Sequence, residues 1–83
     1  MTAADLEKSL SALEPSELRV NDDSAKHREH GVSGGHFSVR IVSARFAGLS
    51  LVARHRLIYA TLGDAMKEAI HALAIDARTP DEV

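Results

Sequence analysis

The segment His36–Ser43 constrains the fold most tightly. Phe37, Val39 and Ile41 alternate with Ser38 and Arg40. This period belongs to a strand with one face in a core and the other facing water. Before it, Leu18 and Val20 alternate with Glu17 and Arg19 as a shorter strand. After it, Gly48 and Ser50 punctuate the chain ahead of a helical stretch near 51–62. Leu73 and Ile75 then alternate with Ala72 and Ala74, a third strand. A helical crossover between strands two and three favours parallel pairing, whereas strands one and two should pair antiparallel.

The remaining elements follow from local signals. Leu6, Leu10 and Leu13 recur at helical spacing, which predicts an amphipathic helix over about 3–13. Thr2 and Asp5 form a short-armed capping box at its start, and Pro15 helps to end it. In the second helix Leu51, Ile58 and Leu62 make the expected apolar stripe, with His55 on it as a buried, hydrogen-bonded residue. Gly63 suits the end of that helix, and Asp64 caps a shorter one through about Ala69. The tail from Ala77 to Val83 reads as short and polar. The expected architecture is α+β in the order α-β-β-α-α-β, with a three-stranded mixed sheet and the helices on one face. Eighty-three residues predict one domain, 1–83.

Parallel strands begin at the same edge of a sheet. His71, within the apolar run Ala69–Ile75, should therefore lie beside His36, which reads as structural. It should also lie beside the connection from Asp22 to Gly35, which carries His27 and His30. That connection is polar and much longer than the roughly two to five residues of an ordinary hairpin. His27-x-x-His30 alone is a weak metal signal, because a flexible loop does not fix ligand geometry. His71 alone reads first as a strand-start residue bonded to a nearby carbonyl.

The chain has five His and no Cys. Soft-metal chemistry must then use imidazole, or sulfur from another molecule. No disulfide is available, and no apolar run is long enough for a membrane span. With no leader-like N-terminal segment, the expectation is a soluble cytoplasmic protein that engages no membrane. No Cys nucleophile, Ser-His-acid constellation or phosphate-cradling motif is present, so an enzyme is not expected. Charge is unevenly spread. Arg40, Arg45, Arg54 and Arg56 fall between Gly31 and Gly63, where there is no Asp or Glu, and the flanks hold all 12 acidic residues. A basic central surface suits an acidic partner or a phosphate, or is simply a set of solvated arginines.

Several segments together resemble the BolA family. Val20-Asn21-Asp22-Asp23-Ser24 runs into His27. His36-Phe37-Ser38-Val39-Arg40-Ile41-Val42-Ser43 and Arg45-Phe46-Ala47-Gly48 follow. Then come Arg54-His55-Arg56-Leu57-Ile58-Tyr59, Ile70-His71-Ala72-Leu73 and Thr79-Pro80. The likeness covers nearly the whole chain, in the family's order and spacing. It implies a BolA-type fold, related to the type II K-homology fold.

The resemblance also implies a non-enzymatic protein that partners a monothiol glutaredoxin with glutathione. The two proteins would share a [2Fe–2S] cluster, for cluster trafficking or for iron and redox regulation. The glutaredoxin and glutathione would supply thiolates and this chain imidazoles, so the isolated protein would carry no cluster. By family position the metal ligands would be His71 and His27, with His30 as the alternative to His27. His-ligated clusters are less negative and higher in potential.

Arg54 and Arg56 flank His55 and should be the more exposed. They are the candidates for contacting the glutaredoxin, glutathione carboxylates or nucleic acid. The alternative function is a DNA-binding transcriptional regulator that uses this basic helix region, with weak and salt-sensitive binding. Against it, the K-homology Gly-x-x-Gly clamp is missing, since the helix junction reads Tyr59-Ala60-Thr61-Leu62-Gly63-Asp64.

Overall fold

In a computed structural model that describes residues 2–23, 35–68 and 70–83, and only the backbone of residues 67, 68, 70 and 71, the first helix opens on Thr2. The Thr2 hydroxyl accepts from the Asp5 amide and the Asp5 carboxylate accepts from the Thr2 amide, the expected capping box. Helix α1 spans Ala3–Leu10 and tightens into a 3₁₀ turn over Ser11–Leu13. Leu6, Leu10 and Leu13 are buried along one line. Glu14 then takes a left-handed conformation (φ 52°) just before Pro15.

Strand β1 spans Glu17–Asp22, β2 spans Gly35–Val42 and β3 spans Ile70–Arg78. Their order in the sheet is β1-β2-β3. The β1–β2 pair is antiparallel and the β2–β3 pair parallel, as the crossover rule requires. The register stacks residues in rows. Leu18–Ile41–Ala77 and Val20–Val39–Ile75 face the helices, while Arg19–Arg40–Asp76 and Asn21–Ser38–Ala74 share the other face. β3 is longer than the alternation around Leu73 and Ile75 predicts. It takes in Ala77, which is buried, and Arg78 from the segment expected to be tail.

Helix α2 spans Leu51–Leu62 and α3 spans Ala65–Glu68. The Ser50 hydroxyl caps α2 by accepting from the Ala53 amide. Gly63 ends it with φ 60° and ψ −133°, a region hostile to any residue with a Cβ. Leu6, Leu10, Ile41, Phe46 and Ile58 are fully buried. Burying each such side chain is worth about 1.5–3 kcal/mol. Ser43 joins the layers, its buried hydroxyl donating to the Leu13 carbonyl at 2.6 Å.

The face that α2 buries keeps Ile58 and Leu62 of the expected stripe but takes Arg54 in place of Leu51. Leu51 is 66% exposed and His55 is half-buried, standing edge-on to Tyr59. The buried line is Arg54, Ile58 and Leu62. The helix is rotated to place a charged residue inside, which needs a charge to meet it. That charge is Glu82, on a 3₁₀ turn over Pro80–Glu82.

Candidate functional site

The edge that carries His71 is set by the parallel register. Gly35 lies opposite Ile70 and His36 opposite Ala72, so the register slips by one residue and leaves His71 as the extra residue of β3. Such a shift interrupts the regular pairing at this point of the ladder. The backbone of His71, the second residue of β3, therefore lies beside the start of β2, the arrangement the strand order predicts. His27 and His30, with the rest of the connection over 24–34, lie outside the described residues, as does the side chain of His71.

The described surroundings of this edge mix polar and apolar side chains. His36 is half-buried, and its carbonyl accepts from the Asp23 amide at 2.7 Å. The Ser38 hydroxyl donates to the Asp23 carboxylate. Asp23, His36 and Ser38, with the apolar Phe37, Ala72, Leu73 and Ala74, border an open hollow of about 460 Å³. Among the described residues no three of His, Asp or Glu come together as a metal cage. A [2Fe–2S] cluster needs four protein or thiol donors, and imidazole replaces thiolate at such clusters in pairs. A chain with no Cys and a bulged His at a sheet edge fits a cluster whose thiolates come from elsewhere.

The arginines behave differently from expectation. Arg54 is not exposed. It retains 8% of its surface and uses all three guanidinium nitrogens. Nε donates to the Leu49 carbonyl at 3.0 Å, and Nη1 to the Ala77 carbonyl at 3.1 Å. Nη1 and Nη2 also grip the two oxygens of Glu82 at 2.5 and 3.2 Å. Glu82 additionally accepts from the Thr79 amide at 2.8 Å. The Arg54 hydrogen bond first, then the Thr79 amide, pull the Glu82 carboxyl down to about 2. Arg54 is thus a clasp between α2, β3 and the tail, with no donor nitrogen left uncommitted for a partner.

The same correction covers most of the basic centre. Arg40 pairs with Glu17 and, at 2.9 Å, with Asp76. Arg45 pairs with Glu14. Acidic residues of the flanks thus fold back onto three of the four central arginines. Arg56 is exposed on α2, as expected, and makes no ion pair with a described residue. Sequence reasoning missed Glu82 because it sits in a stretch that reads as solvated tail. The available signal was the helical spacing of Arg54 with Ile58 and Leu62.

This architecture and these motifs match one family model, BolA-like protein, over residues 10–82. The chain belongs to the BolA-like family. Among solved structures it is similar to the BolA domain of SufE1 from Arabidopsis thaliana, with a TM-score of 0.88 and 48% identity, covering 98% of this chain and 94% of that one. Among curated proteins it is 48% identical over 85 residues to SufE-like protein 1, chloroplastic/mitochondrial, of Arabidopsis thaliana, covering 93% of this chain and 23% of that protein. It is 47% identical over 78 residues to the DNA-binding transcriptional regulator BolA of Vibrio cholerae, covering 93% of this chain and 74% of that protein. The chain spans only about half of its mammalian BolA-like protein 1 relatives. No helix among the described residues is long and apolar enough to cross a membrane.

Proposed function

We propose that this BolA-like chain binds a monothiol glutaredoxin and shares a [2Fe–2S] cluster with it, without catalysing a reaction itself. The observation that carries this reading is the bulge at His71 beside Gly35 and His36, at the end of the connection that holds His27 and His30. His71 and His27 would be the ligands from this chain, with His30 in reserve for His27. The glutaredoxin Cys and glutathione would complete the set. The bound cluster would supply electron-transfer capacity and transferable iron and sulfide. The role of this chain is to hold two imidazoles at an edge open to a partner.

The test mixes the protein with a monothiol glutaredoxin, glutathione, iron and sulfide and records visible absorption and circular dichroism. A hetero-complex spectrum distinct from that of the glutaredoxin alone is expected, and His71→Ala should abolish it. His27→Ala should weaken it, and pairing that change with His30→Ala should remove any remainder. An unchanged spectrum in the His71 variant would sink the ligand assignment.

DNA binding is the second reading, and the name of the Vibrio cholerae relative, DNA-binding transcriptional regulator BolA, favours it. The charge arrangement opposes it. Arg40, Arg45 and Arg54 are committed to carboxylates, which leaves Arg56 as the one arginine between Gly31 and Gly63 with no ion pair among the described residues.

A further inference from the structure

A second groove lies near the opposite end of β3 from His71. It measures about 470 Å³ and runs between Leu51, Arg54 and His55 of α2 and Ile75 and Ala77 of β3, with Glu82 on its wall. Three observations concern what it would accept.

The first is a strand edge on which no further strand pairs among the described residues. β3 is at the side of the sheet. The Ser43 amide donates to the Arg78 carbonyl, so the backbone of Arg78 faces β2. Backbone groups alternate along a strand, so those of Ile75 and Ala77 point away from the sheet. Arg54 takes the Ala77 carbonyl. The amide and carbonyl of Ile75 have no partner among the described residues. Such an edge is a template for another extended chain.

The second is charge balance. The wall carries Arg54, Arg78, Asp76 and Glu82, and they pair as Arg54–Glu82 and Arg78–Asp76. A phosphate backbone entering here would meet two carboxylates and no uncommitted cation. An uncharged segment meets no such penalty.

The third is the rim. Leu51 and Val52 are 66% and 60% exposed, and with Tyr59 they make three of the four large exposed hydrophobics among the described residues. All three lie on α2. Of the three, Leu51 lines the groove itself, and grouped exposed apolar residues mark a contact surface.

We propose that this groove accepts an extended, uncharged segment of a partner protein, which adds to β3 as a fourth strand. Its backbone pairs with the amide and carbonyl of Ile75, and an apolar side chain lies between Leu51 and Ile75. Arg54 on the Ala77 carbonyl ends the pairing there. This recognition works through main-chain bonds with a side-chain pocket for choice. It is independent of the cluster reading, since it uses none of the His ligands.

The test is an amide NMR titration of the isotope-labelled full chain. The probes are capped heptapeptides alternating Thr with Val, Leu, Ile or Phe, the same peptides N-methylated at alternate amides, and a thymidine octamer. At least one peptide should shift the Leu73, Ile75 and Ala77 amides and slow exchange at Ile75. N-methylation in the bonding register should weaken it about tenfold, the cost of one or two lost backbone bonds. Leu51→Ser, on the rim and outside the core, should weaken binding with the spectrum otherwise intact. The proposal fails if no peptide perturbs Ile75, if N-methylation in either register changes nothing, or if the octamer shifts the groove more than any peptide.

Discussion

Arg54 and Glu82 form a two-point ion pair, Nη1 to Oε1 at 2.5 Å and Nη2 to Oε2 at 3.2 Å, with the Arg54 side chain only 9% exposed. The pair ties α2 to the last turn of the chain. It also explains how a helix can turn an arginine inward, because both Arg54 and the carbonyls of Leu49 and Ala77 gain partners. Removing one partner of such a pair costs more than the pair contributes, since the other is left inside without a counter-charge.

The pair makes stability depend on pH in a definite direction. Glu82 has an ordinary value of 4.5, lowered to about 2 in the folded chain by the Arg54 hydrogen bond first and the Thr79 amide next. A depressed folded value means that the contribution is full above the unfolded value. It is lost as pH falls from 4.5 toward about 2. Thermal unfolding across that window should show a falling Tm. Glu82→Gln should lower Tm near neutrality and flatten the acid limb. An acid limb identical in the variant and the parent would exclude Glu82 as its source.

Arg56 and Arg54 should separate cleanly in nucleic-acid binding. Arg56→Ala removes an exposed cation that has no ion pair with a described residue, and should leave Tm unchanged. With one or two phosphates contacted, log K against log salt should have a slope of only about −1 to −2. Arg54→Ala should instead lower Tm, because it opens the clasp. A steep slope near −5, or a loss of DNA affinity in Arg54→Ala with Tm unchanged, would restore the basic-surface reading.

The α2–α3 junction offers a backbone test. Gly63 sits at φ 60°, ψ −133°, while a Cβ there would meet open space. Gly63→Ala should thus cost about 1–3 kcal/mol through conformation alone. Urea unfolding would measure it. No loss would mean that the junction relaxes to another turn.

Much of the architecture was legible because it rests on local patterns. The Phe37, Val39, Ile41 alternation, the Thr2–Asp5 cap and the crossover between β2 and β3 each carry their own signal. The facing of α2 was not legible in the same way. A count of apolar side chains puts Leu51 and His55 inward, and only a distant carboxylate, Glu82, makes Arg54 the better inward residue. The length of β3 escaped because its end reads as polar tail until Ala77 finds its row beside Ile41. Of the candidate site, the neighbourhood of His71 and His36 followed from strand direction. The bulge did not, since it exists only in the pairing of Gly35 with Ile70 and His36 with Ala72.

Ile58 tests the core beneath the clasp. It is fully buried, one helical turn from Arg54 and Leu62. Ile58→Val should cost about 0.5–1.5 kcal/mol and Ile58→Ala about 2–5 kcal/mol. A chain this short has only about 4–12 kcal/mol of total stability. The alanine variant should then be partly unfolded at moderate temperature, with the valine variant intact. Equal stability of the two would mean that α2 does not seat on the sheet through Ile58.

The proposed ligand role of His71 makes a prediction that a structural role does not. If the imidazole binds iron, a thiolate at the same position can bind it too. His71→Cys should therefore keep the glutaredoxin-bridged spectrum that His71→Ala loses. It should also add negative charge to the cluster and lower its potential. Replacing both imidazoles of a Rieske-type centre by thiolates spans several hundred millivolts, so a single exchange should lower the potential by on the order of 100 mV or more. Protein-film voltammetry of the two assembled complexes would measure it. If His71 only starts the strand, the Cys and Ala variants should behave alike, and the potential should not move.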